Sequence, residues 1–231
     1  MASPGGFSGT YLFQPSLGEL TLYALGLCGV RRAAILQEHM QDARIAANLV
    51  LIDWLNQGID LWQVELITVP LVQGQGTYNV PTNVLAMLDA YISYGSPSID
   101  RIILPVSRSE YASYPNKAQQ GFPTVFWMDR ILSPTFTIWP TPDGNEASMS
   151  YYAIRQSQDA NFTSGQQVEL PYAWLNAFAT GLAEKLALSW APDRLVALSA
   201  AASKAYGIAA NANVEQAAQY ISPMLSGYFR N

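Results

Sequence analysis

Two stretches near the start of the chain carry apolar side chains at helical spacing: Leu17, Leu20, Ala24 and Leu27, then Met40, Ala43, Ala47, Val50 and Trp54. Ser16 can cap the first helix, and Gly29 stops it soon after Leu27. A loop through Arg31-Arg32 leads to the second, about Gln37 to Gln57, which keeps Gln41, Arg44, Asn48 and Asn56 off its apolar face and should anchor a helical core. Gly58 is the expected stop. With no Cβ it can take the left-handed conformation, which would fold Ile59 back onto Trp54.

The period then changes. Val64, Leu66 and Val69 open an apolar run bounded by Pro70, and Gly74 and Gly76 turn the chain into Thr77 to Val80. Thr135 to Trp139, and then Met149, Tyr151 and Ala153, alternate at period two on either side of Pro142-Asp143-Gly144, which predicts a hairpin. Leu85 to Ile92 and Arg101 to Val106 form a second candidate pair, and Pro123 marks a strand start or an edge before Thr124 to Met128. The stretch 64–169 therefore reads as a small antiparallel sheet.

Helix returns at Pro171, a residue suited to a first turn, and Leu175, Phe178, Leu182, Leu186 and Ser189 trace one stripe. The last helix begins near Pro192-Asp193 and is small-sided, with Ala197, Ala200, Ala201, Ala202, Ala205, Ala209 and Ala210. Alanine is the best helix former, so propensity alone could explain the run. Because Leu195, Leu198 and Tyr206 already mark a core side and the alanines extend beyond it, the run also reads as a surface that a neighbouring backbone can approach closely. No internal repeat is visible. The expectation is an α+β chain: an antiparallel helical bundle from 16–63 and 170–220, a small antiparallel β-sheet domain inserted over 64–169, a flexible arm over 1–15 and a tail over 221–231.

Of the 231 residues 50% are hydrophobic and 13% charged, against roughly 25% charged in a typical soluble domain. Either the surface is largely neutral-polar, or part of it is buried against other copies as in permanent interfaces. Twelve Lys plus Arg against seventeen Asp plus Glu leave a net charge of −5, and Arg31-Arg32 is the one basic doublet, so a basic footprint for gripping nucleic acid is missing. Acidity keeps a protein soluble; it would equally keep phosphates from sticking to a surface along which DNA moves. The single cysteine, Cys28, can form no intrachain disulfide, and a reducing compartment is expected. MASPGGFSGTYLFQPS lacks the basic and apolar regions of a signal peptide, and Leu17 to Leu27 is too short for a membrane span.

The residues that could carry chemistry are sparse. His39, the single histidine, has Glu38 beside it and Asp42 three residues on, but no nucleophile motif accompanies it, and a helix-start or surface role is expected. Cys28 and His39 are too few for zinc, and Asp129, Asp143 and Glu146 follow neither EF-hand nor P-loop spacing. Glu110 beside Tyr111, with Asp129 or Asp143, would be the carboxylate set of a peptidoglycan hydrolase, although turn caps explain the same residues. Trp127, Trp139 and Tyr151 could stack on a sugar, or serve as core or interface. No catalytic residue, metal or cofactor is expected.

Three segments taken in order carry a resemblance: LNQGIDLWQVELITVPLVQGQGTYNVP (Leu55 to Pro81), PVSRSEYASYPNKAQQGFPTVFWMDR (Pro105 to Arg130) and PTFTIWPTPDG (Pro134 to Gly144). Together with the order of elements over about residues 16 to 220, they resemble the head-to-tail adaptor (connector) proteins of tailed bacteriophages, short-tailed ones above all. The resemblance implies a structural virion protein and no enzyme. It implies a homo-oligomeric ring of twelve copies docked beneath the portal protein, with tail tube or nozzle proteins on the other side and double-stranded DNA retained and ejected through the lumen. The protein would sit at the head-tail junction of the virion, and in the host cytoplasm during assembly. On that reading Ala197, Ala201 and Ala205 are candidates for a subunit or portal interface. Tyr228, Phe229 and Arg230 are candidate anchors, since aromatic and Arg side chains dominate binding hot spots. A tail-associated peptidoglycan hydrolase and a carbohydrate-binding tail module remain the alternatives.

Overall fold

The computed structural model describes residues 10–213 except 12, 59–60, 96–97 and 163–164. Helix α1 (Leu17–Leu27) starts at a reciprocal cap: the Ser16 hydroxyl accepts from the Glu19 N–H, and the Glu19 carboxylate accepts from the Ser16 N–H at 2.8 Å. The Ser16 N–H and the Ser16 hydroxyl, the latter at 2.9 Å, both donate to the Glu19 carboxylate and hold it ionised to lower pH than an ordinary carboxylate. A 3-10 turn over Arg32–Ala34 leads to α2 (Gln37–Gln57). Gly58 closes α2 differently from the expectation. Its φ is −179°, extended rather than left-handed, and a 3-10 turn over Leu61–Gln63 precedes the first strand; Ile59 lies outside the described residues.

Helix α3 (Arg108–Ser113) belongs to the sheet region, and α4 (Leu175–Trp190) and α5 (Leu195–Ala212) complete the helical region. Pro171 precedes a 3-10 turn that feeds α4, and Pro192 opens the turn that feeds α5. Helix α4 is the central one, packed on α1, α2 and α5, with Phe178, Leu182 and Leu186 fully inside. The rings of Trp54, Trp174, Phe178 and Tyr206 meet there, with Trp54 5.0 Å from Trp174 and 5.9 Å from Tyr206. This aromatic centre joins three helices into one core.

The small antiparallel insert expected from the sequence is replaced by a large mixed sheet. Strands β1 (Val64–Pro70), β2 (Thr77–Asn79), β3 (Val84–Tyr94), β4 (Ile99–Pro105), β5 (Val125–Asp129), β6 (Thr135–Trp139) and β7 (Glu146–Arg155) lie in the order β1-β7-β3-β4-β5-β6-β2. The β4–β5 pair is parallel, with Leu104 opposite Val125 and Pro105 opposite Phe126. A parallel neighbour needs a long crossover, which the chain through α3 supplies. The sheet curls, so that Phe136 of β6 and Tyr151 of β7 meet inside it at 5.7 Å.

The pair expected from Leu85 to Ile92 and Arg101 to Val106 is present as β3 and β4, with Ala90 opposite Ile103, and β5 starts just after Pro123. The hairpin expected across Pro142-Asp143-Gly144 is not. Strand β6 has both edges taken by β5 and β2, and β7 both edges by β1 and β3. The turn instead carries the chain between distant parts of the sheet, held by other loops: the Gly74 N–H donates to the Pro142 carbonyl and the Thr141 N–H to that of Gln119, each at 2.9 Å.

The sheet encloses a core of its own around Ile92, Phe136, Met149 and Tyr151. Polar contacts link it to the helices. Arg155, at the end of β7, forks onto the Glu169 carboxylate just before the α4 segment and also faces Glu65 at 3.5 Å, while the Gln63 amide donates to the Ser157 hydroxyl. One outer strand shows a further feature. In β1 the Leu71 N–H donates to the Ala147 carbonyl, so by alternation the nitrogen of Pro70 faces the open edge, where it has no hydrogen to offer.

Candidate interaction surfaces

Helix α5 divides the expected alanine surface in two. Leu198, Ala202, Ala205 and Ala209 face α4, whereas Val196, Ala197, Ala200, Ala201, Lys204 and Ile208 are exposed. Ala197 and Ala201 therefore present a shallow outer surface, while Ala205, 7% exposed, packs in the chain's own core. Tyr228, Phe229 and Arg230 lie outside the described residues. On α2 a second exposed stripe, Ile45, Leu49 and Ile52, runs at i, i+4 and i+7 opposite the buried face.

Two further features escaped the sequence reading. The loop joining β5 to β6 carries Ile131 and Leu132, and Leu132 is 99% exposed. A groove of about 490 Å³ opens between the segment before α1, α1 itself and the start of α4, lined by Phe13, Leu20, Leu22, Tyr23, Leu175 and Ala179, with Glu19 and Arg32 also in its wall. The sequence signal for the first was an aliphatic pair inside a turn. The groove had none, since its walls come from segments far apart in the chain.

Most of the residues weighed for chemistry have structural partners, whereas Asp129 lies at the end of β5 and enters no ion pair among the described residues. His39 is buried at the start of α2, where its Nδ1 accepts from the Leu36 N–H at 3.1 Å and its ring lies 4.0 Å from that of Trp190. Asp42 accepts from the Trp190 indole at 3.1 Å. The Cys28 thiol is buried beneath α4 and donates to the Ala183 carbonyl at 3.4 Å; burial pushes its pKa up, which suppresses the thiolate. Glu110 sits in the first turn of α3, whose cap is Ser107, and Asp143 accepts from the Asn145 backbone. Glu146 folds back on the same turn, its Oε2 accepting from the N–H groups of Asp143 and Gly144.

Of the three aromatics considered for sugar stacking, Tyr151 is fully buried. Trp127 and Trp139 are each stacked by a tyrosine from the α3 segment, Tyr111 at 5.7 Å and Tyr114 at 4.3 Å, and the Trp139 indole donates to the Asn116 carbonyl. Among the described residues no group of three or more His, Cys, Asp and Glu is placed to hold a metal ion, and no helix is long and apolar enough to cross a membrane.

Apolar side chains left outside both cores, on α2, α5 and the β5–β6 loop, are candidate contact surfaces. The family model for the SU10 adaptor protein matches residues 30–226, most of the chain, and the chain belongs to that family. Membership makes it a structural adaptor of phages, a virion component of the head-tail junction that works with portal and tail proteins. No curated protein matches the chain.

Proposed function

We propose that the chain assembles as a closed ring of twelve copies between the portal and the tail tube or nozzle, forming a conduit through which the packaged double-stranded DNA is retained and later ejected without sequence-specific binding. The observation that supports it best is the exposed apolar surface outside the two cores, in particular the outer face of α5 from Val196 to Ile208. In a ring each copy meets the next through two different faces, so a subunit needs more than one such surface. Helices α2 and α5 supply the helical faces, with Ala197 and Ala201 at the contact. The tail 221–231 contributes Tyr228, Phe229 and Arg230 as anchors on the portal. A net charge of −5 suits a chain that lines a conduit along which phosphates must not stick.

Native mass spectrometry of the chain, alone and mixed with portal rings of the same phage, tests this reading. Twelve copies per portal is the expected result, and a chain that stays monomeric with and without the portal refutes it.

A further inference from the structure

Among the described residues the most exposed aliphatic side chain, Leu132, belongs to a hairpin tip. Strands β5 and β6 are paired from Val125 opposite Trp139 to Asp129 opposite Thr135, so loop 130–134 is carried on a rigid ladder. At that tip Leu132 is 99% exposed and Ile131 57% exposed, which means that the chain itself gives Leu132 almost no cover. Two adjacent aliphatic residues on a rigid projection form a knob. The groove beside α1 and α4 is the matching hollow: about 490 Å³, walled mainly by apolar and aromatic side chains, with Tyr23 55% exposed at it.

The charges match as well. The tip carries Asp129 and Arg130 next to Ile131, and the groove holds Arg32 and Glu19. Arg32, Asp129 and Arg130 enter none of the ion pairs among the described residues. A knob seated in the groove can therefore set Asp129 against Arg32 and Arg130 against Glu19, one acid and one base on each side. A chain that carries both a knob and its hollow on different surfaces makes a head-to-tail contact, the kind that closes into a ring when the rotation allows.

We propose that the β5–β6 hairpin tip of one copy inserts Ile131 and Leu132 into the α1–α4 groove of the next copy, with Asp129–Arg32 and Arg130–Glu19 ion pairs at its rim. The contact rests on the ring reading above and adds to it the two surfaces that meet. It also gives the groove residue Tyr23 and the loop residue Leu132 a shared role that neither has within one copy.

Full-length chains with Leu132→Cys or Tyr23→Cys, each in a Cys28→Ala background, are mixed and oxidised, alone and on portal rings. A disulfide-linked dimer is expected from the mixture only, and a control that pairs Leu132→Cys with Val72→Cys, at another exposed position, should give none. In parallel, Leu132→Asp should weaken association between copies on the order of tenfold or more, as expected for losing one buried leucine. Arg32→Asp should weaken it too, and Asp129→Arg should restore it in the double variant. Normal rings with Leu132→Asp, together with a Leu132→Cys and Tyr23→Cys mixture that cross-links no better than the control, overturn this contact and leave the ring standing. Wild-type copies that never associate, with or without portal, overturn the ring and this contact together.

Discussion

Glu169→Gln tests whether the link between sheet and helices is electrostatic. In the folded chain the Glu169 carboxylate takes two guanidinium hydrogen bonds from Arg155, one of them at 3.0 Å, and a third from the Gln158 N–H at 3.0 Å. Glutamine keeps an oxygen for the Gln158 N–H but loses the charge and one of the two acceptors facing Arg155. A hydrogen bond to a charged group contributes roughly 1.5–3 kcal/mol, and with Glu169 27% exposed the solvent screens part of it. The expected loss is about 2 kcal/mol at pH 7. The hydrogen bonds from Arg155 hold the Glu169 carboxyl below the usual carboxylate range, outweighing the effect of burial. Its stabilisation is thus complete above the unfolded-state pKa and is lost as pH falls through the lower folded value. Urea unfolding followed by tryptophan fluorescence, run for both proteins from pH 7 downward, should give a difference that is largest at neutral pH and shrinks toward zero in acid. A difference that stayed constant with pH, or one below about 0.5 kcal/mol at pH 7, would refute the electrostatic link.

Two other substitutions separate surface from core. Ala201→Glu, at an exposed position of α5, should change urea stability by no more than about 0.5 kcal/mol while reducing the copies bound per portal, whereas Ala205→Glu buries a charge in the helical core and should leave little folded protein by circular dichroism. His39→Ala removes both the acceptor for the Leu36 N–H and the ring on Trp190, and should cost about 1–2 kcal/mol in the same unfolding assay, the range for losing a helix cap.

The helices were legible because helix formation is local. Ser16, the Met40-to-Trp54 face and the Leu175-to-Leu186 stripe each contain their own evidence, and the observed bounds of α1 and α2 agree with it. Strand partners are not local. Nothing in Val64 to Pro70 says that it pairs with Glu146 to Arg155, and a turn as strong as Pro142-Asp143-Gly144 predicts a hairpin unless the flanking strands already have neighbours. The parallel β4–β5 pair was hidden for the same reason. Gly58 shows the reverse error, a residue able to be left-handed that is extended in the fold. At the candidate surfaces the alanine run was visible as a composition, but which of its members face inward depends on where α4 lies, and that is why Ala205 parts company with Ala197 and Ala201.

The proline on the open edge of β1 bears on how such a subunit survives before it finds its place. A protein that exposes apolar side chains at high copy number risks stacking into fibres, and the most dangerous template is an unpaired strand that a second chain can zip onto. Along β1 the outward-facing backbone offers hydrogens at Leu66 and Thr68 and then a gap at Pro70. That interruption shortens the run of hydrogens a second chain could pair with, while leaving the side-chain surfaces available. On this edge the free subunit is a poorer template for strand addition than an unbroken β1 would be.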